Sequence, residues 1–500
     1  MKAKSLFFSP FLSLLMIGWS LVVLESADRI TLRYAGATLS SQDSLLPTCS
    51  DGIQNGDETG VDCGGSNCPP CAATGFTDYC KLGLDIDGES AGDQSGRSVA
   101  LSSDGSVLAI GALYNVGNGI FSGHVRVYEW DGAAWSQRGG DIEGEAFGDQ
   151  SGRSVSLSSD GSVLAIGAPL NGDSGHVRVY EWDGTAWFQR GVDIDGEAAG
   201  DQSGLSVSLS SDGSVLAIGA DRNDGNGVSS GHVRVYEWDG TAWSQKGDDI
   251  DGEAAYDRSG RSVSLSSNGS VLAIGTPSND GNGDQSGHVR VYEWDGAAWS
   301  QRGGDIEGES AGDQSGSSVS LSSGGSVLAI GAPYNGGNGT FSGHVRVYEW
   351  DGTVWSQRGV DLNGEASDDR FGSSVFLSSD GSVLAIGGMP YNDGNGDSGQ
   401  VRVYEWEGTE WLKRGVDIDV EGVSANAPLV LSLSSDGSVL AIGAPGNDGN
   451  GDDSGQVRVY EACMSTCQIS AIAVSNLSSC TPGTDTYTAD VTVSFQSAPA

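Results

Sequence analysis

Three short loops carry alternating oxygen side chains of the kind that coordinate calcium. The motif Asp-Gly-Asn-Gly-Asp occurs at 280–284, 393–397 and 448–452. Its candidate ligands are Asp280, Asn282, Asp284, Asp393, Asn395, Asp397, Asp448, Asn450 and Asp452. Oxygen ligands at every second position are typical of the start of a calcium loop, but the glycine and the distal bidentate glutamate that normally follow are absent. The motif therefore predicts either calcium sites or plain glycine-rich loops.

A second acidic segment lies among closely spaced cysteines near the N-terminus. Residues 49–71 contain Cys49, Cys63, Cys68 and Cys71, which predict two local disulfides with three possible connectivities. Four side chains between them could supply oxygens to calcium: Asp51, Asn55, Asp57 and Asp62. The alternative is an acidic loop held by disulfides without a metal. The segment resembles a short Cys-rich Asp/Gly motif of secreted proteins.

The elements that position the Asp-Gly-Asn-Gly-Asp loops belong to an internal repeat. Copies begin at Asp85, Asp141, Asp193, Asp249, Asp305, Asp361 and Asp417, and their spacing is 56 residues except for a second copy of 52. A fixed period of this length indicates a repeat architecture. In the second copy, the sequence alternates over 154–158, is apolar over 163–167, and is rich in Val, Tyr and Trp over 176–182, with a fourth strand at 186–191. Four antiparallel strands per copy predict an all-β, seven-bladed β-propeller over 76–462.

The two ends of the repeat region predict how the ring closes. The seventh copy ends after its third strand, and residues 76–84 align with the missing fourth strand. If this segment completes the last blade, no sheet edge stays exposed. Because the two strands would be neighbours, Cys80 and Cys463 come within disulfide range. Cys467 and Cys480 are then expected to pair locally.

Most aromatic and histidine side chains recur at fixed repeat positions, which predicts a structural role. The histidines His124, His176, His232, His288 and His344 occupy one position, where Gln400 and Gln456 stand in the last two copies. Blade rotation separates equivalent positions, so these histidines should not converge on one metal. We expect the repeat tryptophans to pack between or around blades, with sugar stacking by exposed ones as the alternative. The repeated Arg and Glu of the third strand, such as Arg178 and Glu181, should be paired on strands.

The repeats resemble FG-GAP repeats, the units of the integrin α-subunit propeller. The resemblance is carried by Phe371-Gly372 and by Gly-Ala-Pro at 167–169, 331–333 and 443–445. It implies a ligand-binding or adhesion propeller rather than an enzyme. The Asp-rich calcium loop of that family is replaced by a tight Ser-Asp-Gly turn, so its usual metal site is not carried over.

Composition and the N-terminus indicate an exported protein. Glycine contributes 79 of 500 residues and the net charge is −42, which disfavours nucleic acid and anionic membranes. Residues 1–27 are typical of a signal peptide, with retention as an anchor as the alternative, and 28–48 form a linker. Eight cysteines fit an oxidising compartment. Residues 463–500 resemble the start of an immunoglobulin-like β-sandwich module and contain a predicted strand at 487–495.

These observations predict a secreted or cell-surface, non-catalytic protein that binds an extracellular protein or a glycan. After signal cleavage, no stable membrane insertion is expected. The inter-blade loops and the loops between second and third strands share one acidic face, where the ligand should bind. The copies differ most at 221–222, 256–258, 368–371 and 425–428, so a unique site is expected there. The alternative is a propeller enzyme acting on carbohydrate or phosphate esters. Calcium is the one cofactor considered.

Overall fold

The computed structural model describes residues 78–388, 391–392, 397–421 and 428–463. Outside that range, it describes five strands, which pair as Lys4–Phe8 with Leu12–Met16 and as the three-stranded sheet Arg29–Arg33, Asp490–Gln496 and Gln468–Ser475. The chain divides into two units, residues 78–462 on one hand and residues 1–77 with 463–500 on the other. In the described part there is no helix, and hence none that is long and apolar enough to cross a membrane.

Residues 78–462 form seven antiparallel blades of a β-propeller, which confirms the predicted fold. The first strands are Ser95–Leu101, Ser154–Leu157, Ser206–Leu209, Ser262–Leu265, Ser318–Leu321, Ser374–Leu377 and Val430–Leu433. The second strands are Val107–Ala112, Val163–Ala168, Val215–Ala220, Val271–Thr276, Val327–Ala332, Val383–Gly387 and Val439–Ala444. The third strands are His124–Trp130, His176–Trp182, His232–Trp238, His288–Trp294, His344–Trp350, Asp397–Trp406 and Gln456–Cys463.

The fourth strand is shorter than predicted, and in most blades it is interrupted. In the first five blades it covers Trp135–Gln137, Trp187–Gln189, Trp243–Gln245, Trp299–Gln301 and Trp355–Gln357. A two-residue segment further on also pairs with the third strand, at Ile142–Glu143, Ile194–Asp195, Ile250–Asp251, Ile306–Glu307 and Leu362–Asn363. The fourth strand of each of these blades is thus made of two pieces separated by a glycine-containing turn.

The sixth blade has one continuous fourth strand, Trp411–Glu421, and the extra pair Tyr391–Asn392. At the end of this strand, Val420 stands where the other copies have glycine. A Cβ at the equivalent Gly308 would lie 2.0 Å from the carbonyl oxygen of Ser286. Valine cannot take that close approach, and here the strand continues beside the third strand with a register shift between Val401 and Val403.

The last blade is completed by the N-terminal end of the unit, as predicted. Strand Asp78–Lys81 pairs with Gln456–Cys463, and Ile86–Asp87 pairs further along the same strand. The amide of Leu82 donates a 2.7 Å hydrogen bond to the carbonyl of Val459. The chain therefore closes the ring with backbone pairing rather than with an open sheet edge.

The core is divided among the seven blade-to-blade contacts. Alternate residues of each second strand face opposite neighbours, so that Val107 packs toward the second blade and Leu108 toward the seventh. Both side chains are buried, which explains why these strands are apolar on both faces. Gly111 allows a close approach of the two blades, because a Cβ there would lie 2.1 Å from the carbonyl oxygen of Gly152 in the next blade.

Candidate functional site

A cavity of about 720 Å³ lies on the propeller axis, at the end of the ring where the first strands begin. Its wall contains the residue just before the first strand in blades two to six, at Arg153, Leu205, Arg261, Ser317 and Ser373, and in the first blade it contains Arg97. Because equivalent positions from successive blades meet in one cavity, the cavity must surround the axis. A neighbouring lobe of about 620 Å³ shares Arg97, Arg153, Leu205 and Arg261.

Tight turns hold the arginines against the cavity. Arg97 and Arg153 each follow a glycine in the left-handed region, with φ of 86° at Gly96 and 85° at Gly152. The amide of Arg153 donates a 3.1 Å hydrogen bond to the carbonyl of Gln150, and the amide of Gly152 bonds across to Gly167. These turns therefore fix the backbone at Arg97 and Arg153, and with it the direction of the two arginine side chains.

The electrostatics of the arginines are dominated by burial and mutual repulsion. Burial, and then the like charges of Arg153 and Arg261, lower the pKa of Arg97 to about 9. Burial and Arg261 lower the pKa of Arg153 to about 10. Among the described residues, neither guanidinium forms a hydrogen bond or an ion pair. These cations are thus partly removed from water without an ion pair, although the nearby Asp221 favours the charged form of Arg153.

One carboxylate does meet the cluster. Nη1 of Arg261 lies 3.5 Å from Oδ2 of Asp221, which is buried. Burial raises the pKa of Asp221 even though Arg261, Arg258 and Arg222 favour its charged form. A single half-satisfied carboxylate does not neutralise the arginines around it.

Each of the four segments at which the copies differ most contributes at least one residue to this cavity, and residues 425–427 of the last segment lie outside the described part of the chain. Tyr256, Arg258 and Arg370 line the larger lobe, Arg222 lines the smaller one, and Pro428 contacts both. Tyr256, Arg258 and Arg370 all have positive φ, so they occupy strained turns between blades. The guanidinium of Arg370 lies 5.5 Å from the centre of the Tyr334 ring.

The arginine cluster itself was missed by the sequence analysis, which treated the whole loop face as acidic. Arg97, Arg153 and Arg261 are far apart in sequence and each looks like an ordinary variation of one copy. The available signal was their common place in the repeat, directly after the glycine at 96, 152 and 260. Positions next to the axis converge, whereas positions further out along a blade do not.

The Asp-Gly-Asn-Gly-Asp loops use their polar groups within the fold. Oδ1 of Asp280 accepts the amide of Gln285 at 2.8 Å, and the amide nitrogen of Asn282 donates to the carbonyl of Gly308 at 2.8 Å. The third loop repeats this pattern, since Oδ1 of Asp448 accepts the amide of Asp453 and Asn450 donates to Gly88. Asp284 lines the cavity. Calcium binding stays a prediction, with an alternative role for these side chains as loop supports.

Several predicted site residues lie outside the described part of the chain. These are Asp51, Asn55, Asp57, Asp62, Asp393, Asn395, Cys49, Cys63, Cys68, Cys71, Cys467 and Cys480. The backbone of Asp397 begins a third strand. Cys80 and Cys463 are both disulfide-bonded and lie on neighbouring strands of the last blade. Their pairing with each other stays a prediction.

The five histidines lie in five separate clusters that could hold a cation. Each combines one histidine with a glutamate and an aspartate whose ligand atoms lie within 4.8 Å of one another, as in Glu89, His124 and Asp141. Nδ1 of His124 is 3.9 Å from Glu89, and Nη1 of Arg126 is 3.7 Å from the same carboxylate. Burial, and then Arg126, lower the pKa of His124 to about 4. Because an arginine already neutralises the glutamate, the cluster fits a structural network better than a metal centre.

The remaining repeated side chains form ion pairs and contacts with tryptophan rings. Arg178 pairs with Glu145 at 3.8 Å and Glu181 with Arg190 at 3.7 Å, so both side chains are ion-paired, although not with each other. Residues three apart on a strand point to opposite faces. The guanidinium of Arg190 lies 4.8 Å from the Trp238 ring of the next blade. The tryptophans thus pack between blades, as expected.

Comparisons with known proteins find distant structural similarities only. No family model matches the chain, and no curated protein matches its sequence. A candidate 6-phosphogluconolactonase from Bacteroides uniformis is 13% identical, with a TM-score of 0.45 over 67% of this chain and 86% of that chain. The Dos1 propeller is 14% identical, with a TM-score of 0.44 over 77% and 96%. Raptor from Chaetomium thermophilum is 11% identical, with a TM-score of 0.48 over 77% and 29%. At this distance, none of them bears on ligand or activity.

Proposed function

We propose that this chain is a secreted, non-catalytic binding protein whose ligand docks on the loop face around the axial cavity. One observation carries the proposal: the residues at which the copies differ, including Leu205, Tyr256, Arg258 and Arg370, come together in one cavity. A ring of near-identical blades can bind an asymmetric ligand in one orientation only where its symmetry is broken. An extracellular protein or a glycan is the proposed partner, in keeping with the resemblance to FG-GAP repeats.

The polar groups of the cavity support binding rather than catalysis. The hydroxyl of Ser317 donates to the carbonyl of Gln314 at 2.8 Å, and that of Ser373 donates to the carbonyl of Arg370 at 2.6 Å. Among the described residues, neither serine hydroxyl is hydrogen-bonded to a general base, which a nucleophilic hydroxyl needs. Among the described residues that line the cavity there is no histidine or cysteine.

Extracellular localisation is supported by redox chemistry and charge. Cys80 and Cys463 are disulfide-bonded, and disulfides persist mainly in oxidising compartments. The net charge of −42 opposes contact with nucleic acid or with an anionic membrane surface.

The test is a glycan and extracellular-protein binding screen with two matched tryptophan variants. Ala255→Trp adds an indole at the cavity wall, whereas Ala133→Trp adds the same ring to an exposed turn between third and fourth strands, at the other end of a blade. Any ligand found with the wild type should be lost in Ala255→Trp and retained in Ala133→Trp. A ligand that binds Ala255→Trp as well as the wild type would contradict the proposed face.

A further inference from the structure

We infer that the axial cavity is an oxyanion site, in which Arg97, Arg153 and Arg261 bind the phosphate or sulfate groups of a compact, polar ligand. The inference rests on the proposed function and specifies the ligand chemistry of the same cavity. It follows from the positive charge of the cavity, from the lack of ion-pair partners for Arg97 and Arg153 among the described residues, and from the volume of the cavity.

Positive charge is concentrated here in a chain that is otherwise strongly acidic. The chain has 25 lysines and arginines against 67 aspartates and glutamates. Five arginines nevertheless line the larger lobe, at Arg97, Arg153, Arg258, Arg261 and Arg370, and Arg222 lines the smaller one. Cavity walls of low dielectric strengthen the attraction of such a cluster for an anion. Surrounding acidic loops would in turn repel anions that do not reach the cavity.

Among the described residues, Arg97 and Arg153 differ from the repeat arginines in having no ion-pair partner. Arg126, on a third strand, lies 3.7 Å from Glu89 and donates a 2.8 Å hydrogen bond to the carbonyl of Asp87. No described residue gives Arg97 or Arg153 a comparable contact. Burying cations side by side without a full counter-charge is unfavourable. The arginine cluster therefore lowers the stability of the folded protein, and a bound anion would restore that stability.

Carboxylates near the cluster leave it positive. Asp221 is engaged by Arg261, and Asp280 accepts a backbone amide through Oδ1. Asp284 also lines the larger lobe, and Asp453 lines the smaller one. These carboxylates are fewer than the arginines in the two lobes.

The dimensions indicate a ligand larger than a single inorganic anion. A volume of about 720 Å³ falls in the range of small-molecule sites. Guanidinium groups bind phosphate and sulfate oxygens through paired N–H donors, which lysine cannot match. Tyr256, Tyr334, Gln285 and Gln314 add ring faces and amide groups for the rest of the ligand. A phosphorylated or sulfated sugar has both parts.

The experiment is titration calorimetry of the full chain with pyrophosphate, glucose 6-phosphate, glucose 6-sulfate and unmodified glucose. We expect binding of at least one of the three oxyanions and none of glucose, and the two esters distinguish phosphate from sulfate as the source. Arg153→Gln should weaken that binding at least tenfold. Lys81→Gln removes the same charge from the outer strand of the last blade and should leave affinity within twofold. No oxyanion binding by the wild type, or equal losses in both variants, would overturn the inference.

A thermal measurement keeps the test independent of how well the variants fold. Without an anion, Arg97→Gln should raise the melting temperature, because it removes an unpaired, partly buried charge. With an oxyanion present, the wild type should gain stability by mass action and Arg97→Gln should gain much less. If Arg97→Gln gains as much as the wild type, the inference fails.

The outcomes separate this inference from the proposed function. A protein or glycan ligand that is lost in Ala255→Trp, with no oxyanion binding, would leave the binding face in place and refute the oxyanion site. If a polyglutamate peptide displaced that protein or glycan ligand and none of the oxyanions did, the oxyanion site would also be refuted. The result would indicate an acidic peptide as the ligand instead. Oxyanion binding that survives Ala255→Trp would contradict the cavity as the site in both proposals.

Discussion

The backbone amide of Ser435 donates a 2.8 Å hydrogen bond to the carbonyl of Ser103. It is the last of seven equivalent bonds, each running from the turn after one first strand to the same turn of the next blade. The series proceeds from Ser103 through Ser159, Ser211, Ser267, Ser323, Ser379 and Ser435 and returns to Ser103. The seventh blade and the first, far apart in sequence, are therefore joined as any neighbouring pair is.

We predict that the contact between the seventh and first blades, called the seam below, depends on a buried serine. Oγ of Ser432 accepts the amide of Leu101 at 2.9 Å, so Ser432→Ala would leave a buried N–H without a partner. The free energy of unfolding should fall by about 1–3 kcal/mol in a denaturant titration. As the control, Ser300→Ala removes an exposed hydroxyl and should change it by less than about 0.5 kcal/mol. Equal stability of the two variants would show that the seam is open in solution.

A second prediction concerns Gly308, which directly follows the second piece of the fourth strand in the fourth blade. Gly308→Ala would place a Cβ 2.0 Å from the carbonyl oxygen of Ser286, whereas Gly304→Ala in the same blade meets no atom within 4 Å. The first variant should lose about 1–3 kcal/mol of stability through backbone displacement. The second should be nearly neutral. A melting temperature that is unchanged in Gly308→Ala would contradict the close approach of the two segments.

The buried histidines predict a loss of stability in mild acid. Burial lowers the pKa of His124 and of His288 to about 4, while an unfolded histidine titrates near 6.5. The unfolded chain therefore binds more protons between these values, and stability falls as the pH decreases from about 6.5 to about 4. Each pKa unit corresponds to about 1.4 kcal/mol. Replacing both residues with glutamine, which the last two copies carry naturally, should flatten this part of the profile.

The matched measurement is the free energy of unfolding at pH 7 and at pH 4.5 for the wild type and for His124→Gln/His288→Gln. The wild type should lose more stability between the two pH values than the variant does. Parallel losses would mean that these histidines are protonated in the folded protein.

A disulfide is predicted between Cys80 and Cys463, at the closure of the ring. Both residues are disulfide-bonded and lie on paired strands. Replacing both with serine should lower stability by about 2–5 kcal/mol, because the bridge closes a very long loop. Non-reducing peptide mapping should recover the two cysteines in one linked pair. A peptide that links Cys80 to any other cysteine would refute the pairing.

Much of the fold could be predicted because each copy encodes a complete unit. The apolar second strand at 163–167 and the alternating first strand at 154–158 are set by burial on two faces, which is a local pattern. The closing strand could be predicted as well, because the missing piece of the seventh copy is present near the N-terminus. The interruption of the fourth strand was not foreseen, since the predicted strand at 186–191 stopped before the second piece, Ile194–Asp195, which pairs with the third strand beyond the glycine-containing turn.

The candidate site could be predicted only in part. The segments containing Tyr256 and Arg370 stood out because they depart from the repeat, and both do line the cavity. Arg97, Arg153 and Arg261 did not stand out, because their proximity is a property of the closed ring and not of any one copy. His124 shows the opposite case, in which a conspicuous residue sits further out along the blade in a local network with Glu89 and Arg126.

The most direct test of the account is the position of a bound oxyanion in crystals of the protein soaked with selenate, located by the anomalous scattering of selenium. The account predicts a peak on the propeller axis, within hydrogen-bonding range of the guanidinium groups of Arg97, Arg153 and Arg261, that is absent from crystals of Arg153→Gln. Selenate bound only on the outer surface of the blades, or an unchanged axial peak in Arg153→Gln, would contradict it.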